Sequence, residues 1–266
     1  MEAKDQDLPD FAKRPDWRPS KRGALLVLGI FVFGAIIMGG LYLTPRSRAP
    51  RAPAGLKYGI PDRPLRIVCY DLRRQPPHID PMIAAVQRLN PDYLLVVDIE
   101  EDDAVQLAEL MGMQQSFHPQ LYQRSQNIAG KQATWGNCIL SRYPLYEGSA
   151  IAGKAGVFGT WAISVVDGRA FVVGCCHFAG GDGSTAEWDA LRQAWIARGS
   201  PPIIVAVLPA GGPAWQGVQI RALQPDQGES LIYTSSWQLS GTGAAQNSGA
   251  GGGPAWAELA PPAWKR

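Results

Sequence analysis

Short apolar runs alternate with helix-period stretches along most of this chain. Residues 65–70 (LRIVCY) form an apolar run with β-branched members, which predicts a buried strand. Asp80 then offers a helix N-cap with Pro81 at the first helical position, and Met82, Ile83, Val86 and Leu89 follow at helical spacing. Asn90, Pro91 and Asp92 break that helix, and residues 93–99 (YLLVVDI) predict a second buried strand. Asp102 and Asp103 open a second helix carrying Val105, Leu107, Ala108, Leu110 and Met111, with Gly112 placed to end it as a left-handed C-cap.

The middle of the chain changes character. Residues 138–140, 161–166 and 170–177 are strand-like, and Asp167 followed by Gly168 is a two-residue hairpin signal. Residues 185–197 return to helical spacing with Trp188, Leu191, Ala194, Trp195 and Ile196, and an apolar strand follows over 202–208. A strand-like AWAEL lies near the C-terminus. This order predicts an α/β (α+β) domain of mixed, partly antiparallel sheet with interspersed helices.

Ahead of that domain the pattern is of another kind. Residues 23–44 carry no charged side chain, and the 20 residues of 24–43 are rich in Leu, Ile, Val and Phe. At about 1.5 Å per residue they span roughly 30 Å, the thickness of a bilayer's hydrocarbon core. Lys21 and Arg22 close one end; Tyr42, Arg46, Arg48 and Arg51 mark the other. The segment predicts a single transmembrane helix. A cleavable signal peptide is the weaker competitor, since its apolar core is usually ~7 to 15 residues. Five basic residues shortly before the span (Lys13, Arg14, Arg18, Lys21, Arg22) outnumber four after it (Arg46, Arg48, Arg51, Lys57), which places the N-terminus in the cytoplasm and the domain outside it. The expected organisation is a polar tail at 1–22, a membrane span at 23–44, a stiff Pro- and Arg-rich linker at 45–56, and one domain at 57–266.

Charge sharpens this division. The whole chain has a formal net charge of +2, yet from Lys57 onward 16 basic residues face 18 acidic ones, so the domain is slightly acidic. Nucleic acid is therefore a disfavoured partner. Four cysteines are too few for a disulfide scaffold and lack zinc-knuckle spacing. Cys175 and Cys176, adjacent on a strand, point to opposite faces and are expected as free buried thiols; a bridge from Cys69 to one of them stays open. Glu100, Glu101, Asp102 and Asp103 are expected to favour the helix start through its dipole rather than to gather a metal. His78 and His118, beside prolines, are expected in loops.

Three segments taken together resemble the endonuclease/exonuclease/phosphatase superfamily: PDYLLVVDIEEDDAVQLAELMGM at 91–113, GNCILSRYPL at 136–145, and the hairpin end CCHF at 175–178. The resemblance covers residues 65–259. It implies a four-layer αββα sandwich of two mixed sheets, with a site at one edge, and hydrolysis of a phosphate ester with Mg²⁺. It also implies site positions. His177 matches the phosphate-facing histidine. Asp71 stands where the family has Asn, and Asp98 where it has a metal-binding Glu. Leu208 and Ala210 stand in place of the Asp and Asn of GDFN, and Gly251 and Gly252 in place of the Asp and His of the last motif. A positioned general base is typically worth ~10² to 10⁴ in rate, so these replacements point to an impaired site.

Two readings follow. The first is a membrane-anchored module of this fold, catalytically inactive or impaired, that binds a protein or a phosphate-containing ligand and needs no cofactor. The alternative is an active Mg²⁺-dependent phosphodiesterase, nuclease or phosphatase with a remodelled site. In it Asp71, Asp98 and His177 hold the cation, and Asp182 is the nearest spare carboxylate.

Overall fold

A computed structural model of the 266-residue chain describes residues 49–72, 79–126, 132–153, 156–178, 183–208, 219–222, 231–235, 237–244 and 254–262. All belong to the unit Ser47–Arg266. Among them no helix is long and apolar enough to cross a membrane, and the predicted span at 23–44 lies outside the described residues, as do His78, Asp182, Ala210, Gly251 and Gly252.

In chain order the elements are β1 (Lys57–Tyr58), β2 (Leu65–Asp71), α1 (Ile79–Leu89), β3 (Tyr93–Glu100), α2 (Glu101–Met111), β4 (Gln114–Gln126), β5 (Gln132–Ser141), β6 (Leu145–Gly153), β7 (Gly156–Val166), β8 (Arg169–His177), α3 (Gly183–Ala197), β9 (Ile203–Leu208), β10 (Gln219–Ala222), β11 (Leu231–Thr234), β12 (Gln238–Ala244) and β13 (Ala255–Ala260). One sheet runs β12-β13-β2-β3-β5-β4 and the other β10-β11-β9-β8-β7-β6, with β1 added beside β8. Each sheet is antiparallel except for one parallel pair near its middle, β2 with β3 and β8 with β9. A parallel pair needs a crossover, and α1 and α3 supply the two.

Side-chain alternation sorts the apolar residues into three layers. Leu65, Ile67 and Cys69 of β2 pack with Phe171, Val173 and Cys175 of β8 between the sheets. Val68 and Tyr70 of β2 face outward against Val86 of α1 and Leu107 of α2. Val172 and Cys176 of β8 face the other way, against Trp188 and Leu191 of α3. The described elements therefore form a two-sheet α/β sandwich with helices over both outer faces, as the resemblance implied. Cys175 and Cys176 lie in different layers, and all four cysteines are free and buried. Burial pushes each thiol well above its ordinary pKa, which keeps it protonated and unreactive.

Local signals carry into the structure. Asp167 (φ 50°) and Gly168 (φ 72°) both take the left-handed region that a type I′ hairpin requires between β7 and β8. Gly112 caps α2 at φ 61°, ψ 34°. Glu101, Asp102 and Asp103 occupy the first turn of α2, where the dipole favours them. Partial burial, with Glu100 and Asp102 close by, still pushes Asp103 above the usual carboxylate value.

Three features depart from the expectations. His118 is not in a loop: it lies within β4, a strand whose polar sequence QQSFHPQ hides it. Pro119 is tolerated there because β4 is an edge strand, with a register break just after the proline. The linker is also partly docked, since the carbonyl of Pro50 accepts the N–H of Glu147 at 2.9 Å and Ala49 lies against Gly148. The edge strand β6 offers unpaired backbone groups that a passing extended segment can satisfy.

Candidate functional site

The two parallel pairs end at the same edge of the sandwich. Asp71 is the last residue of β2 and pairs in register with Val97 of β3, one position before Asp98. On the other sheet His177 is the last residue of β8 and pairs with Leu208, the last of β9. Asp71, Asp98, His177 and Leu208 thus occupy neighbouring strand ends, where α/β folds gather ligands. The hydrogen bond between Asp98 and His177 joins the two sheets at this edge.

Asp98 reaches the inter-sheet space through a backbone irregularity. Tyr93, Leu95 and Val97 face inward and Leu94 and Val96 outward, so plain alternation would turn Asp98 out toward the helices. The register against β5 instead shifts between Val96 and Ile99, Asp98 adopts φ 54°, and Ile99 becomes the outward residue. A bulge therefore re-aims the carboxylate. A non-glycine residue at such a φ carries strain of order 1 kcal/mol, and Asp is among the residues that tolerate it best.

The buried carboxylate is satisfied by nitrogen donors. Oδ1 of Asp98 lies 3.1 Å from Nδ1 of His177 and accepts Nε2 of Gln120 at 3.1 Å. The orientation of Gln120 is set from behind. Asn137 donates Nδ2 to the carbonyl of Phe158 on the opposite sheet at 3.0 Å, which turns its Oδ1 toward Gln120 Nε2 at 3.5 Å. The side chain of Asp98 is 4% exposed and that of His177 26%, so the pair runs from interior to rim. With Nδ1 held by the carboxylate, the imidazole is fixed in plane and its charged form is favoured by a neighbouring anion.

A second polar bridge lies deeper along β4. Nδ1 of His118 is 2.7 Å from Oγ1 of Thr160 on β7. Burial holds His118 below the ordinary imidazole value, so it stands neutral at pH 7. Gly136, which precedes Asn137, sits so close to β4 that a Cβ there would fall 2.3 Å from the carbonyl oxygen of His118. Only glycine lets β5 approach closely enough to place Asn137.

The rest of the GNCILSRYPL segment does other work. At the far end of the sandwich, Asp92 accepts the N–H of Arg66 at 2.7 Å and the hydroxyl of Tyr143 at 2.7 Å, and Arg142 donates to the side chain of Asn90. The SRYP half is thus a structural latch onto the Asn90-Pro91-Asp92 turn. Gln120 and Asn137 escaped sequence reasoning as site residues. Asn137 had a signal, its place beside Gly136 in that segment; Gln120, in a polar stretch, had none.

This arrangement recurs among solved structures. The catalytic domain of human Nocturnin, with a bound sulfate anion, superposes with a TM-score of 0.55 at 10% identity, over 76% of this chain and 94% of that one. An endonuclease/exonuclease/phosphatase family protein from Bacteroides thetaiotaomicron gives 0.53 at 12% identity, over 74% and 97%. The chain has the endonuclease/exonuclease/phosphatase fold. A mannosyl-6-phosphatase from Bacteroides thetaiotaomicron shares it with a TM-score of 0.53 at 12% identity, over 73% of this chain and 99% of that one. No family model and no curated protein matches the sequence.

Proteins of this fold that use Mg²⁺ need hard oxygen ligands free to face the ion. Here Oδ1 of Asp98 meets nitrogen donors from Gln120 and His177, and among the described residues no group of three His, Cys, Asp or Glu side chains is gathered to hold a metal. The described residues form a hydrogen-bonded carboxylate and imidazole rather than a Mg²⁺ cage.

Proposed function

We propose that this chain is a membrane-anchored module of the endonuclease/exonuclease/phosphatase fold, impaired as a hydrolase, that binds a phosphate-containing ligand at the strand-end edge. The observation that carries the reading is the register pair His177 and Leu208. The resemblance puts a catalytic aspartate at the second of these positions, and an aliphatic residue there can neither orient a water nor take up a proton. Asp98, one methylene shorter than the Glu it replaces and already hydrogen-bonded, adds to the impairment. His177, braced by Asp98 at the rim, supplies a donor suited to a phosphoryl oxygen. A bound sulfate in the Nocturnin domain is in keeping with oxyanion binding by this fold.

The membrane part rests on the uncharged residues 23–44 and their basic flanks. A reporter fused at Arg266 is expected to be active outside the cytoplasm only; activity restricted to the cytoplasm overturns the orientation.

Hydrolysis is tested with the full chain in detergent micelles. With Mg²⁺ or Mn²⁺, bis(p-nitrophenyl) phosphate and plasmid DNA are expected to be cleaved no faster than by the Asp98→Ala, His177→Ala double variant. Activity that disappears in that variant overturns the impaired reading in favour of a remodelled metal-dependent enzyme, for which the surviving pair of Asp98 and His177 is the supporting observation.

A further inference from the structure

Trp135 is the fourth inward residue of this edge. It lies two positions before Asn137 on β5, with no register break between them, so the two side chains share a face. That face looks at the opposite sheet, as the bond from Asn137 to Phe158 demonstrates, and Ile139 continues it into the inter-sheet core. Trp135 pairs in register with Glu100, just past Asp98, and stands opposite the register break of β4 that follows Pro119. It is therefore on the inward face of β5 at the strand-end edge that holds Asp98 and Gln120.

Its indole is 4% exposed, and among the described residues no acceptor reaches Nε1. A buried N–H without an acceptor costs about 1–3 kcal/mol, and indole N–H groups normally find a partner when buried. Asp98 and Asn137, the acceptors nearest in the site's network, are already engaged by Gln120. Burial also excludes one ordinary role of an aromatic at such an edge, since a nucleic-acid base or a sugar cannot stack on an enclosed ring face. What remains available is the N–H edge, which donates and never accepts.

We infer that Trp135 is a ligand-binding residue of this site, its indole N–H donating to an oxygen of the same phosphate that His177 meets. The inference rests on the ligand reading above and deepens it. Tryptophan adds a neutral, non-titrating donor that needs no cation, which suits a site whose carboxylate is committed to nitrogen donors. A phosphate monoester supplies three acceptor oxygens, enough for the imidazole and the indole together. A soluble sugar phosphate and the headgroup of phosphatidic acid present the same group.

The test uses the full chain, ¹⁵N-labelled at tryptophan, in EDTA. Glycerol 3-phosphate is titrated into chain held in phosphatidylcholine nanodiscs, and separate nanodiscs carry phosphatidic acid. The indole resonance of Trp135, assigned by its loss in Trp135→Phe, is expected to move downfield in one of the two arms, identifying a soluble or a lipid phosphate. Trp135→Phe keeps the buried ring and is expected to weaken that binding roughly tenfold, the loss of one hydrogen bond to a charged acceptor. Binding that is lost in His177→Ala but intact in Trp135→Phe, with an unmoved indole resonance, overturns the role of Trp135 alone. Absence of binding to the unmodified chain in both arms overturns this inference and the ligand reading together.

Discussion

Nδ1 of His177 lies 3.1 Å from Oδ1 of Asp98, although the residues are 79 positions apart and belong to different sheets. The contact exists because β3 breaks its alternation at Asp98, and it ties the two sheets together where their parallel strands end. Asp98→Ala and His177→Ala should each lower the free energy of unfolding, and the double variant should fall short of their sum by about 1 kcal/mol. Urea denaturation of all four proteins gives the coupling; strict additivity would mean that the bond contributes nothing.

Gly136→Ala should be damaging despite its small size. The added methyl would meet the carbonyl oxygen of His118 and the ring of Phe117, 2.3 and 2.7 Å from the ideal Cβ position. Overpacking of this kind costs about 1–3 kcal/mol. A thermal melt of the variant that matches the parent would show that β4 and β5 are not in such close approach.

Burial lowers the pKa of His118 in the fold, while the unfolded chain protonates near the ordinary imidazole value of about 6.5. The unfolded state thus binds more protons as pH falls below that value. Stability should be level above about pH 6.5 and decline below it, down to the folded pKa, with a slope of at most about 1.4 kcal/mol per pH unit. Denaturation midpoints from pH 7.5 to 5 should flatten in His118→Gln; an unchanged slope would assign the effect elsewhere.

All four thiols should be silent toward an aromatic disulfide reagent in the native protein and react once the chain is unfolded in denaturant. The cause is double, burial from the reagent and a raised pKa that removes the thiolate. A thiol that reacts rapidly in the native state would contradict the three-layer packing.

Tyr143→Phe removes the hydroxyl that Asp92 accepts and should cost about 1 kcal/mol. Asp92→Ala strands that hydroxyl and the N–H of Arg66 as well, and should cost more. Both lie at the end of the sandwich away from Asp98, so phosphate binding by the folded variants should match that of the parent. Calorimetry with the ligand separates the two effects.

Much of the architecture was legible in the residue pattern, because β2, β3, β8, β9 and the three helices each bury an apolar face whose period shows without knowledge of a partner. Short-range chemistry was legible too: Asp167 with Gly168 makes the hairpin, and Gly112 the cap, through conformations that those residues favour locally. The adjacent cysteines followed from alternation alone. So did the candidate edge, since Asp71, His177 and Leu208 end strands that were visible as apolar runs.

The tertiary structure decided what depends on pairs. Ser116, His118 and Gln120 make β4 look like a loop in sequence, yet they stand on the inward face of a strand, where Thr160 and Asp98 supply partners to His118 and Gln120 from elsewhere in the chain. Alternation would have sent Asp98 to the wrong side, and only its left-handed backbone brings it to His177. The same holds for Trp135, whose apolar ring was legible as core but whose unpaired N–H was not. Burying an apolar side chain needs only the absence of water, a property one residue can advertise; burying a polar one needs a named acceptor or donor at bonding distance, and that is settled by the fold alone.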